Sequence, residues 1–265
     1  MISKINAFLV ALFFLVLSTA VFSEVIVYPS NGVDLVSSPS GSSEVKISFK
    51  PDVNQTSLVK YRLASLQVNG YEVDKSKLLI ENIYTRGVKP LDRFQLVLSG
   101  KESSNPVIST LKFSPTWVDR PGTYTGHLTS DSSAPDIPVR IVINPKSTLS
   151  ISPENFKLAV SNTDTPVIQR IDLVFGSNQP KWELYLLAND LHKYDGSVLS
   201  KDKIFVRVQG DPDSSWKSLN GPVKIYSGYS ATPAKIATLE FFVTADVLEK
   251  AGDYVGNIKF LMKSL

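Results

Sequence analysis

Two short patterns recur in this chain at a separation of a whole domain, and no other feature of the sequence limits its fold so tightly. Thr110-Leu111-Lys112-Phe113 is matched by Thr238-Leu239-Glu240-Phe241. A little downstream, Gly122-Thr123-Tyr124-Thr125-Gly126-His127-Leu128 is matched by Gly252-Asp253-Tyr254-Val255-Gly256-Asn257-Ile258. The offset is 128 residues at the first match and 130 at the second. A period of that length is a duplicated domain, not the unit of a solenoid. The polar, proline-bearing stretch Asn144-Pro145-Lys146-Ser147 falls between the copies, so the expected division is a first domain over residues 24–146 and a second over 147–265. At about 120 residues each, both are long enough to bury a core.

Within each copy, apolar residues alternate with polar ones, and Gly, Pro, Asn, Asp and Ser punctuate the runs. In residues 44–50, Val45, Ile47 and Phe49 face one way while Glu44, Lys46, Ser48 and Lys50 face the other. Ile204, Val206 and Val208 alternate in the same way, as do Val139, Ile141 and Ile143. Strands with one wet face belong to antiparallel sheets, since parallel strands read as near-continuous apolar runs. Residues 243–251 have room for one helical turn, too little to change the class. The expected fold is all-β, two tandem antiparallel β-sandwiches.

The amino-terminal segment places the chain outside the cytoplasm. Lys4 precedes an unbroken apolar run over residues 7–17, short of the ~20 residues that span a bilayer as a helix, and small residues follow before Glu24. Residues 1–23 therefore read as a signal peptide, cleaved after Ser23 or, alternatively, after Ala20. No later segment is long and apolar enough to cross a membrane as a helix, so no membrane span is expected after cleavage. The chain has no cysteine, which excludes disulfides and acyl-cysteine anchoring. Basic and acidic residues are interleaved in both halves, without the one-sided basic concentration that nucleic-acid binding requires.

The second repeat has a physical reading. Each glycine can supply a backbone conformation that other residues avoid, and each tyrosine follows two residues later on a strand face. Asp119-Arg120-Pro121-Gly122-Thr123-Tyr124 and Glu249-Lys250-Ala251-Gly252-Asp253-Tyr254 resemble the acidic-x-x-Gly-x-Tyr run before the penultimate strand of immunoglobulin-like domains. The resemblance implies immunoglobulin-like sandwiches, with Gly122, Tyr124, Gly252 and Tyr254 forming tyrosine corners in which the hydroxyl bonds an upstream backbone group. Trp182 takes the place of the tryptophan that such sandwiches carry on a central strand, and Tyr61 takes it in the first domain. Without cysteine, the resemblance is to bacterial surface and pilus-type sandwiches more than to antibodies, and it singles out no one family.

Chemistry-bearing residues are sparse. The two histidines, His127 and His192, read as surface residues, and no Gly-x-Ser-x-Gly elbow, His-Glu-x-x-His helix or phosphate-cradling loop occurs. Asp211, Asp213, Ser214 and Ser215 offer hard oxygens of the kind calcium takes, but Asp211-Pro212 reads first as a turn. No catalytic residue, metal site or cofactor is assigned. Trp216, Tyr226 and Tyr229 form the candidate ligand surface, with rings that stack on sugars if exposed and close the end of the core if not.

The expectation is thus a noncatalytic exported protein, structural or adhesive, a fibre subunit or an assembly component at the periplasm, the cell surface or in secretion. Its expected partners are other protein subunits or cell-surface components. Alternatives are a carbohydrate-binding protein that uses the second domain's aromatics against a glycan, and a pilus-assembly type of periplasmic chaperone. One asymmetry refines this. The closing strand of the first domain, residues 137–143, has no counterpart after Tyr254. Either a strand is supplied to the second domain, with residues 24–28 (EVIVY) of a neighbouring copy as the suggested donor, or residues 148–151 cover the edge.

Overall fold

A computed structural model of the chain describes residues 25–51, 58–99, 105–155, 157–158, 160–161, 167–228, 232–246, 249–250 and 252–265. The proposed signal peptide lies outside them. The chain clusters into two compact units. One takes in the residues up to Val36 with Ser42–Ser114 and Thr123–Val142; the other takes Ser37–Gly41, Pro115–Gly122 and Ile143–Leu265.

The first unit is built from β1 (Val25–Tyr28), β2 (Val33–Ser37), β3 (Ser43–Pro51), β4 (Val59–Val68), β5 (Tyr71–Glu72), β6 (Leu78–Glu81), β7 (Lys89–Pro90), β8 (Gln95–Leu98), β9 (Val107–Phe113), β10 (Gly122–Ser130) and β11 (Ile137–Ile143). One sheet has the order β1-β3-β9-β6-β7, and the other runs β2-β11-β10-β4-β5 with β8 also on β4. Among the main strands this is the first-second-fifth-fourth against seventh-sixth-third arrangement of an immunoglobulin-like sandwich. The alternation expected from sequence orients the strands. Ile47 and Phe49 of β3 and Ile137, Val139, Ile141 and Ile143 of β11 are buried, while Glu44, Lys46 and Arg140 are exposed. Phe49 packs on Tyr61 at 5.4 Å between ring centres.

The second unit comprises β12 (Ser147–Ser152), β13 (Val160–Ser161), β14 (Gln169–Ser177), β15 (Trp182–Ala188), β16 (Leu191–His192), β17 (Val198–Leu199), β18 (Ile204–Val208), β19 (Lys217–Ser218), β20 (Val223–Gly228), β21 (Thr232–Thr244) and β22 (Ile258–Ser264). Its larger sheet, β12-β14-β21-β18-β19 with β13 on β21, repeats the first-second-fifth-fourth order. The facing sheet has three strands, β20-β15-β22, so it keeps the third and sixth positions. Trp182, Leu184, Leu186, Ile204, Leu239 and Phe241 are buried between them. Every long strand pair is antiparallel; β13 joins β21 in parallel. The helical content of the described residues is three 3-10 turns, none long or apolar enough to cross a membrane. No helical turn forms among the described residues of 243–251.

Two expectations about the open edge are corrected. The segment suggested as a donor strand is already used, because Val25–Tyr28 pairs with β3 along its length and Val25 is buried. Residues 148–151 do not cover the edge of the second domain beside β22 either. They lie in β12, whose partner is β14 in the larger sheet, with Leu149 and Ile151 turned inward against the core.

Candidate functional site

The duplicated motif enters the second of the two sheets in each unit. Gly122 and Gly252 adopt φ of +156° and +137°, a region where a Cβ is strained. The acid three residues before each glycine ties down the loop. Asp119 accepts from the Thr116 N–H at 2.6 Å and its hydroxyl at 2.9 Å, and Glu249 accepts from the Asp246 N–H at 2.9 Å. Tyr124 is buried in β10. Tyr254 is half-buried ahead of β22, and its hydroxyl donates to the Lys250 carbonyl, four residues upstream, at 2.8 Å. That bond is a tyrosine corner. Tyr61 makes a second kind of brace, donating to the Pro135 carbonyl at 2.8 Å; burial, then the charge of Asp136, push its phenol pKa up.

Of the aromatic residues singled out in the second unit, Trp216 and Tyr226 do not come together as one row. Tyr226 stacks on Trp182 at 5.4 Å and meets Phe175 at 5.1 Å, so it faces the core. Trp216 follows a 3-10 turn and packs edge-on against Phe242 at 4.6 Å, with the Arg207 guanidinium 4.5 Å above its ring. These belong to the outer face of the larger sheet. Tyr229 lies outside the described residues. His127 and His192 are exposed.

Beside Trp216, the same outer face holds a carboxylate nearly out of water. Glu240 on β21 is 2% exposed and is bonded by Arg170 Nε at 2.9 Å and Arg207 Nε at 2.8 Å. Desolvation pushes its pKa up, but the two guanidinium bonds outweigh it and hold the carboxyl below its ordinary range. Asp213 also pairs with Arg207, so its carboxylate is already engaged. Among the described residues, no group of three or more His, Cys, Asp or Glu is placed to hold a metal ion.

The feature that sequence reasoning reached only in outline is the free side of β22. This strand pairs in continuous register with β15, from Ala188 opposite Ile258 to Trp182 opposite Ser264. At either end, the Asn189 N–H donates to the Asn257 carbonyl and the Leu265 N–H to the Lys181 carbonyl, both at 3.1 Å. In an antiparallel ladder, residues bonded across to the partner alternate with residues whose backbone groups point away. Asn257, Lys259, Leu261, Lys263 and Leu265 therefore bond toward β15, and Ile258, Phe260 and Met262 aim their N–H and C=O groups at the other side. Among the described residues, no strand occupies that side. The side chains of the same three residues face the core but are only half-buried. In the first unit the equivalent strand, β10, has β11 beside it, and there Tyr124 and Leu128 are buried.

No protein-family profile matches this sequence, and no curated protein matches it. Solved structures match this chain at low identity and low TM-score. A chain of the chaperone and tip-adhesion-subunit pre-assembly complex from archaic chaperone-usher Csu pili of Acinetobacter baumannii is 10% identical, with a TM-score of 0.43 over 90% of this chain and 100% of that one. The C-terminal domain of the Streptococcus agalactiae antigen I/II polypeptide BspA is 12% identical, with a TM-score of 0.22 over 89% of this chain and 92% of that one. A Porphyromonas gingivalis protein of unknown function is 9% identical, with a TM-score of 0.25 over 83% of each chain.

Proposed function

We propose that this chain is an exported, noncatalytic protein of two tandem immunoglobulin-like domains, residues 24–146 and 147–265, and that its second domain binds other proteins by accepting an extended segment beside β22. The observation that carries the reading is that edge. Three residues, Ile258, Phe260 and Met262, present backbone groups with no strand partner among the described residues and half-buried apolar side chains on the same strand. A strand laid there satisfies the first and covers the second, and this is how sheet edges recognise peptides. The reading fits an assembly component or fibre subunit. The carbohydrate alternative draws less support, since Tyr226 is committed to the core and leaves Trp216 without it on the outer face.

The test uses the chain from residue 24 onward and a synthetic heptapeptide that carries the inward residues of β11 (Ile, Val, Ile, Ile) at alternate positions with glutamine between them. Bound ligand stabilises the folded state by mass action, about 2.7 kcal/mol at a hundred times Kd. The thermal midpoint is expected to rise with peptide concentration and to stay unchanged with a version interrupted by proline. An unchanged midpoint with both peptides contradicts the proposal.

A further inference from the structure

The outward face of β22 specifies what kind of strand fits beside it. Its sequence IKFLMKS points Ile258, Phe260 and Met262 inward, leaving Lys259, Leu261 and Lys263 on the solvent face. Both lysines are exposed, β22 has no acidic residue, and neither lysine makes an ion pair among the described residues. The acid opposite Lys263 in the ladder is Glu183 on β15, which feels the Lys263 charge more weakly than its hydrogen bonds to Tyr185 and Lys224. Its carboxylate already accepts from the Tyr185 hydroxyl at 2.6 Å and from Lys224 Nζ at 3.1 Å. Two positive charges thus stand at the rim of the empty position, four residues apart on the same face of the strand.

This pattern decides between two occupants. Two β22 edges brought together antiparallel about Leu261 set Lys259 of each opposite Lys263 of the other, and like charges directly opposite on a sheet are destabilising. A second copy joined through this edge in that register is therefore disfavoured. An incoming strand with acidic residues at the positions beside Lys259 and Lys263 gains two cross-strand pairs and keeps the apolar row for the core.

We infer that the second unit selects a different protein, one presenting an antiparallel segment in which apolar residues alternate with Asp or Glu. The inference rests on the strand-addition reading proposed above. The antiparallel direction follows the first unit, where β10 and β11 are neighbours joined by a connection too short for a parallel crossover.

Three heptapeptides test it on the chain from residue 24 onward. All carry the same inward Ile, Val, Ile, Ile, with glutamate, glutamine or lysine at the intervening positions. The glutamate peptide is expected to bind roughly tenfold more tightly than the lysine peptide at low ionic strength, with glutamine between them. Added salt shrinks the difference, since both lysines are exposed. In the doubly substituted Lys259→Gln, Lys263→Gln protein the ranking is expected to collapse, with affinity for the glutamine peptide retained. Equal binding of all three peptides to the native chain overturns the inference and leaves strand addition standing. A glutamate preference that survives the double substitution overturns it as well, because the attraction then arises elsewhere. Binding of none of the three overturns both this inference and the strand-addition reading.

Discussion

At the residue scale, the tyrosines illustrate how similar motifs acquire different weights. The Tyr61 hydroxyl is enclosed in a fully buried side chain, and Tyr61→Phe leaves the Pro135 carbonyl without its donor. The expected loss is about 1 to 3 kcal/mol in denaturant unfolding. Tyr254 is half-buried, so water replaces the lost donor at Lys250, and Tyr254→Phe is expected to cost only about 0.5 to 1.5 kcal/mol. A larger loss at Tyr254 than at Tyr61 contradicts this ordering. Glu240 gives a pH signature. Its carboxyl is held below the ordinary carboxylate range, so its contribution is present in full above that range and is lost as pH falls through the lowered value. Glu240→Gln is expected to cost about 1 to 3 kcal/mol at neutral pH, toward the low side for breaking a buried pair because Arg170 remains largely in water. The gap between variant and parent then narrows as unfolding is measured at progressively more acid pH. A gap independent of pH between neutrality and strong acid contradicts the ion-pair account.

At the scale of elements, strand identity was legible because residues such as Ile47, Phe49, Val139 and Ile141 must share one side of a pleat. The facing of Tyr226 was not. Leu184 lies opposite Tyr226 and the next residue, Tyr185, lies opposite Lys224, so Ile225 is an extra residue in β20. Such a bulge breaks the period of two, and Tyr226 turns to the core beside Trp182. Local pattern carries no mark of a bulge that only the neighbouring strand reveals. The second glycine of the repeat was visible without its reason. A Cβ on Gly126 would collide with the Ser65 carbonyl oxygen, where β10 shifts register against β4. The acid of the motif was also visible, but its bond to an N–H three residues upstream is a three-dimensional fact. Alternation puts Glu240 on the outward face and gives no sign of its burial, which accompanies its bonds to the long side chains of Arg170 and Arg207.

At the scale of the whole molecule, the two units share the strand order of the larger sheet, and among their differences is the space beside the sixth main strand. In the first unit β11 fills it, and in the second no described strand does. Sequence comparison of the copies located that difference; it could not say where residues 24–28 and 148–151 go, since any short β-prone segment suits several edges. The central claim is that the space beside β22 receives a strand from another protein. Residue-resolved amide hydrogen exchange on the chain from residue 24 onward, with and without the glutamine heptapeptide, tests it most directly. Before addition, Ile258, Phe260 and Met262 are expected to exchange faster than Lys259, Leu261 and Lys263. On saturation the first three are expected to slow by roughly tenfold or more while the second three change little. Exchange at Ile258, Phe260 and Met262 that is already slow in the free chain, or that does not slow on addition, contradicts the account.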